Sequence, residues 1–176
     1  MKTTNLIMVD IETLGNSMAA PIVQIGATKF NLSGIQDEFL MNVAMEDLEN
    51  YDFYVDYDTI KWWFSQSKKA IESVFLNGGY PLDHVLKEFA KWIGKKQYNF
   101  YAHATFDFPV IEQNYRKLKI KNPIPFRNTR DLRTLTDIAG SFEVKANKLK
   151  HNALADARYQ TEYCIAQLKY LNQKLT

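Results

Sequence analysis

Apolar and polar positions divide the chain into two regimes. A short apolar run over 5–10 ends in Asp10, and 21–30 alternates around the β-branched Ile22, Val23 and Ile25, which predicts two strands. Residues 36–43 supply a third. Small residues over 15–20 and Gly34 within 32–35 make tight connections, so the three strands read as an antiparallel meander. From Asp58 onward the apolar spacing becomes helical. It runs through Ile60, Trp63 and Phe64 with Trp62 beside them, then Ile71, Val74 and Phe75, then Leu82, Val85, Leu86, Phe89, Trp92 and Ile93, closing at Gly94. An aromatic stretch over 98–102 suits a buried fourth strand, and 108–118 follows as a helix carrying Val110, Ile111, Tyr115 and Leu118. Pro123 and Pro125 end it. A short strand near Phe126 leads into a helix over 131–139, with Leu132, Leu135 and Ile138 on one stripe. After Gly140 and a basic stretch over 145–150, a last helix begins near Asn152 and shows Leu154, Ala157, Thr161, Cys164, Ile165, Leu168 and Leu171 on one face. Three strands followed by helices alternating with strands predict an α/β sandwich with a mixed sheet. With no linker or internal repeat, residues 1–176 are expected to form one domain.

Composition narrows the class. At 176 residues, 46% hydrophobic and with only 7 Gly and 5 Pro, the chain can bury its own core and is neither disordered nor fibrous. A net charge of +2 excludes a broadly cationic surface, so a nucleic-acid partner has to be held locally. The single Cys164 cannot form an intramolecular disulfide and reads as packing, which suits a reducing compartment. The start lacks the features of a signal peptide and no stretch approaches membrane-spanning length, so a cytoplasmic protein with no membrane partner is expected.

Candidate chemistry lies in the acids. Asp10 and Glu12 leave a buried strand two residues apart, so a period of two points both carboxylates to one face, with Ile11 opposite. Chance alone gives about two such pairs among this many acids, and the chain has three, the others being Asp47/Glu49 and Asp56/Asp58. The setting separates them. Two like charges leaving an apolar strand are costly unless a cation neutralises them, whereas the other pairs sit in polar sequence and can be solvated. Taken singly, Asp107 reads as the cap of the helix it precedes, Asp156 as an acid complementing the dipole of the last helix, and His151 as a solvated loop residue.

Taken in order, these residues form a pattern. Asp10-Ile11-Glu12-Thr13-Leu14-Gly15, then Phe106-Asp107, then His151-Asn152-Ala153-Leu154-Ala155-Asp156-Ala157 resemble the three motifs of the DEDD exonuclease superfamily in its histidine-bearing (DEDDh) branch. Thr59-Ile60-Lys61-Trp62-Trp63 with Gln66, and Arg130-Asp131-Leu132-Arg133-Thr134, further resemble the compact bacterial and phage exonucleases similar to exodeoxyribonuclease VIII. The resemblance implies a ribonuclease H-like mixed sheet, antiparallel in its first three strands and parallel thereafter, flanked by helices. It implies 3′-to-5′ hydrolysis of phosphodiester bonds at a free 3′ end, releasing nucleoside 5′-monophosphates. Two Mg²⁺ or Mn²⁺ ions, about 3.5 to 4 Å apart, would be held by Asp10, Glu12, Asp107 and Asp156, with His151 as the general base. Thr13 and Leu14 would grip the terminal nucleotide, Leu14 as a wedge against its base. Of Trp62 and Trp63, one would pack in the core while the other either stacks on a base or is buried as well, and Lys145, Lys148 and Lys150 would either meet phosphates or be solvated. The pattern departs from many relatives in having no Asn after His103, which leaves the role of His103 open. DNA, single-stranded, is the favoured substrate. The rivals are an exoribonuclease or oligoribonuclease and a catalytically silent nucleic-acid-binding module. Self-association as a homodimer or higher oligomer is compatible with the resemblance.

Overall fold

A computed structural model describes residues 5–144 and 149–174. Strands β1 (Leu6–Thr13), β2 (Ile22–Asn31) and β3 (Gly34–Asn42) form the expected meander, and a 3₁₀ turn (Met45–Asn50) leads to the helical half. There follow α1 (Tyr57–Phe64), α2 (Lys68–Ile71) running into a π-helical turn (Glu72–Leu76), α3 (Leu82–Ile93), β4 (Asn99–Ala102) and α4 (Asp107–Lys117). A 3₁₀ turn over Phe126–Asn128, β5 (Thr129–Asp131), α5 (Leu132–Ala139) and α6 (Ala153–Lys174) complete the described chain. The sheet order is β3-β2-β1-β4-β5, antiparallel through the first two pairs and parallel through β1/β4 and β4/β5. This is the ribonuclease H-like mixed sheet, with helices on both faces. The strand expected near Phe126 starts three residues later, because Phe126 itself belongs to the 3₁₀ turn and is solvent-exposed.

Alternation along β1 decides what each face receives. Ile7, Val9 and Ile11 join the core formed with α1, α3 and α4, while Leu6 and Met8 join the one formed with α5 and α6. Asp10 and Glu12 share the parity of Leu6 and Met8, so they emerge on the α6 side. The larger core is locked where the Tyr115 hydroxyl of α4 donates to the Leu86 carbonyl of α3 at 2.7 Å. Two helical stripes are narrower than their spacing predicts. Phe64 is 81% exposed and Ile138 67% exposed, because α1 and α5 are each only eight residues long and present one short buried face.

Two residues of β2 bring α6 onto the acids. Gly26 pairs with Asp10, and a Cβ placed on it would lie 2.1 Å from the Ala153 carbonyl carbon and the Leu154 nitrogen. Only glycine lets the start of α6 approach so closely. Gln24 pairs with Glu12, and its side-chain oxygen accepts from the Ala153 N–H at 2.7 Å while its amide donates to Asn42 and to the Ser73 carbonyl. Further along, the Thr28 and Thr161 hydroxyls share a buried hydrogen bond of 2.5 Å. No described helix is long and apolar enough to cross a membrane.

Candidate active site

The four acids arrive from three elements, β1, α4 and α6. Asp10 and Glu12 come from the end of β1, where the register with β2 slips between Glu12 and Thr13, a bulge of the kind that re-aims side chains at a strand end. Asp107 is the first residue of α4 rather than its cap. Its Oδ2 turns back to accept the His103 N–H at 2.8 Å, tying the helix start to the end of β4. Asp156 lies in the first turn of α6, where Asn152 Oδ1 accepts the Ala155 N–H and Asp156 Oδ2 accepts the N–H of His151, both within 3.0 Å. All four acids line one cavity of about 630 Å³, with His103, Arg133, Lys150, His151, Tyr159 and Gln160 on its walls.

The electrostatics of this cavity are those of an anionic cluster short of cations. Asp10, Glu12 and Asp107 are each less than a tenth exposed. Burial, and then the fields of Asp107, Glu12 and Asp156, hold the Asp10 carboxyl well above the ordinary range, against a 2.6 Å hydrogen bond from the Gln160 amide. Burial, followed by the charges of Asp156 and Asp107, pushes Glu12 up to about 8. Burial likewise raises Asp107 to about 7, with Asp131 adding to it and the His103 N–H and Arg133 opposing it. Among the described residues only Arg133 and Lys150 bring permanent positive charge to the cavity. An all-oxygen set of this kind suits a hard divalent cation. Carboxylate oxygens of Glu12 and Asp156 and a ring nitrogen of His151 lie within 4.8 Å of one another, close enough to share one.

His151 sits before α6 with φ of 60°, a left-handed conformation uncommon for a residue with a side chain, and the bond from its N–H to Asp156 holds it there. The imidazole therefore reaches the acids directly. Its ring stands edge-on to Trp62, with centroids 4.7 Å apart. The two tryptophans divide as adjacent helical residues should. Trp63 is buried, donating its indole N–H to the Thr13 carbonyl at 3.0 Å and packing on Phe75, while Trp62 is 41% exposed. Leu14, the expected wedge, turns inward. Leu14 is only 4% exposed and packed in the core, and its backbone is committed through its N–H to Pro21 and its carbonyl to Asp56. Thr13 is also buried, its hydroxyl donating to the Gly15 carbonyl. Lys150 lines the cavity, whereas Lys145 and Lys148 fall outside the described residues.

Several cavity residues had no assigned role in the sequence. Gln160 stands four residues after Asp156, so helical spacing places it on the same face, and that spacing was the available signal. Tyr159 carried none, and Phe106 stood in the second motif without a role of its own. Arg133 stood in a recognisable motif, but only the folded chain turns it toward Asp107 and His103. His103 is half-buried and its Nδ1 has no hydrogen-bond partner among the described residues. Burial, then the Arg133 charge, lowers its pKa against the opposing field of Asp131.

Similarity to known proteins agrees with this geometry. The nuclease domain of 3′hExo, described as a DEDDh family member and solved bound to rAMP, superimposes with a TM-score of 0.60 at 13% identity, over 96% of this chain and 93% of that one. Cell-death related nuclease 4 gives 0.62 at 15% identity, over 97% of this chain and 65% of the other. Exonuclease I of E. coli in complex with a dA16 oligonucleotide gives 0.64 at 14% identity, over 97% of this chain. The chain spans only 41% of exonuclease I, and likeness at these identities establishes the fold. No curated protein matches the sequence. The model of a family described as the 3′-5′ exoribonuclease Rv2179c-like domain matches residues 5–168. A match running from the first strand into the last helix places this chain in the Rv2179c-like 3′-5′ exoribonuclease domain family, and so makes it a 3′-5′ exonuclease.

Proposed function

We propose that the chain removes nucleotides from the 3′ end of single-stranded RNA, with Asp10, Glu12, Asp107 and Asp156 holding two divalent cations and His151 acting as general base. The observation that carries this reading is the convergence of the four acids, three of them buried, in one cavity with His151 at their side. A binding module has no physical need for buried carboxylates that repel one another, which argues against the catalytically silent alternative. The family description favours RNA over the DNA preferred on sequence grounds.

Bound divalent cations supply charge neutralisation at the phosphoryl oxygens and lower the pKa of water. The protein's share is placement. Asp10 is central, with Gln160 fixing one of its oxygens. Glu12 and Asp156 stand on the His151 side, and Asp107 is held by the His103 backbone that follows β4. His151 accepts a proton at a ring nitrogen from the attacking water. Imidazole is the side chain whose protons exchange most readily near neutral pH, which suits it to that step.

The test uses single-stranded RNA and DNA labelled at the 5′ or the 3′ end, incubated with Mg²⁺, Mn²⁺ or chelator. The expected result is a descending ladder from 5′-labelled RNA, slower loss of DNA, and no cleavage in chelator. Chelator-resistant cleavage, or shortening from the 5′ end, contradicts the mechanism. Equal rates on DNA contradict the choice of sugar alone.

A further inference from the structure

A second cavity of about 460 Å³ lies between α5 and α6, and nothing above gives it a role. It adjoins the acid cavity, with which it shares His103, Arg133, Asp156, Tyr159 and Gln160 as lining. Its lining includes the aromatic Tyr159, Tyr163 and Phe142 and the cationic Arg133. Tyr159 and Tyr163, one helical turn apart on α6, lie nearly parallel, with ring centroids 6.4 Å apart and planes inclined by 16°. Phe142 forms the far wall and is held edge-on by Tyr170 at 5.6 Å. Arg133 stands at the junction of the two cavities and makes no ion pair among the described residues. Tyr159 remains 37% exposed.

We propose that this groove is the track for the nucleotides upstream of the scissile bond, with their unpaired bases stacking on Tyr159 and Tyr163 and a phosphate held by Arg133. The inference rests on the exonuclease reading for its direction, since the 3′ end lies at the acids and the strand must leave the pocket by an open side. Flat aromatic faces interleaved with a cation are the chemistry of single-strand recognition, because every base offers a π-face and every linkage a charge. Among the described residues Asp156 is the one acid on the groove wall and stands at the catalytic end, so the rest of the described wall does not repel phosphate. The tyrosines and Arg133 share this wall with the residues that hold the cluster, which sets the second and third nucleotides beside the reacting one. A duplex end cannot stack there without unpairing, so the groove also sets a preference for single strands.

The experiment measures binding of 5′-fluorescein oligoadenylates of 2, 3, 4 and 6 nucleotides, as RNA and as DNA, by anisotropy in Ca²⁺. The unlabelled oligonucleotides are also followed for cleavage in Mn²⁺. The wild-type chain is expected to tighten by about 5- to 100-fold from 2 to 4 nucleotides, the range expected for a stacked base. Tyr163→Ala flattens that gain, and Tyr163→Phe, which keeps the π-face, retains it. Arg133→Ala reduces the slope of log affinity against log salt by about 0.7, the value for one phosphate of a single strand. The proposal is overturned if Tyr163→Ala keeps the full length dependence, if Tyr163→Phe loses as much as Tyr163→Ala, or if a blunt duplex binds with the same dependence on Tyr163. Length-dependent binding without cleavage supports the groove and removes the exonuclease reading. Cleavage with affinity independent of length does the reverse.

Discussion

Replacing Glu12 by Gln should make the cation-free protein more stable, and the size of the effect follows from the site. Burial among Asp156 and Asp107 raises the Glu12 carboxyl from 4.5 to about 8 in the folded chain. The folded state therefore keeps its proton over a pH range in which the unfolded state has released it, and stability falls as pH rises from about 4.5 to about 8. At pH 8 the penalty approaches about 4 kcal/mol, at 1.36 kcal/mol per unit of pKa difference. At pH 5 it is below about 1 kcal/mol. The neutral amide of Gln does not titrate and escapes this penalty. For a chain of 176 residues, each kcal/mol moves Tm by about 2 to 4 °C. Thermal unfolding in chelator at pH 8 should thus place Glu12→Gln about 10 °C above wild type, with the gap nearly closed at pH 5. Saturating Mg²⁺ should stabilise wild type by mass action and the variant less. A variant no more stable than wild type at pH 8 in chelator, or a gap that does not change with pH, refutes the reasoning.

Further outcomes follow from single contacts. His151→Ala should lower kcat by about 10²- to 10⁴-fold while leaving the Mg²⁺-dependent rise in Tm in place. A fully active variant removes the histidine from the mechanism. Gly26→Ala puts a methyl group against the Ala153 backbone, so it should shift α6, lower Tm, and cost activity even where folded protein is recovered. Unchanged Tm and rate contradict the close approach. Trp62→Ala should raise KM for single strands by about 5- to 100-fold if a base stacks on its exposed face, whereas a fall in kcat alone assigns Trp62 to holding His151.

Much of the architecture was legible because period and burial agree. The switch from alternation to helical spacing near Asp58 marks where the meander ends, and the parity of Asp10 and Glu12 with Leu6 and Met8 fixes the face on which they emerge. The four acids and His151 were singled out by their likeness to the DEDDh motifs, not by spacing alone, and the fold brings all five to one cavity. What spacing could not reveal is which groups a neighbouring element covers. Leu14 stands beside the acids in sequence, yet its side chain is drawn into the core while its carbonyl accepts from Asp56. Phe64 and Ile138 satisfy a helical stripe but sit at the ends of helices too short to bury it. Gly26 and Gln24 offered no signal at all, since their roles exist only once α6 lies across β2. The contact between Trp62 and His151 joins residues 89 positions apart in the chain and is a product of tertiary packing alone.

The central claim is that four carboxylates form one site for divalent ions, and Mn²⁺ uptake followed by electron paramagnetic resonance tests it most directly. Wild-type chain should bind two Mn²⁺ ions, the number a two-metal site takes, and Asp10→Asn should lose that uptake while remaining folded. A wild-type chain that binds none, or an Asp10→Asn chain that binds as many as wild type, contradicts the account.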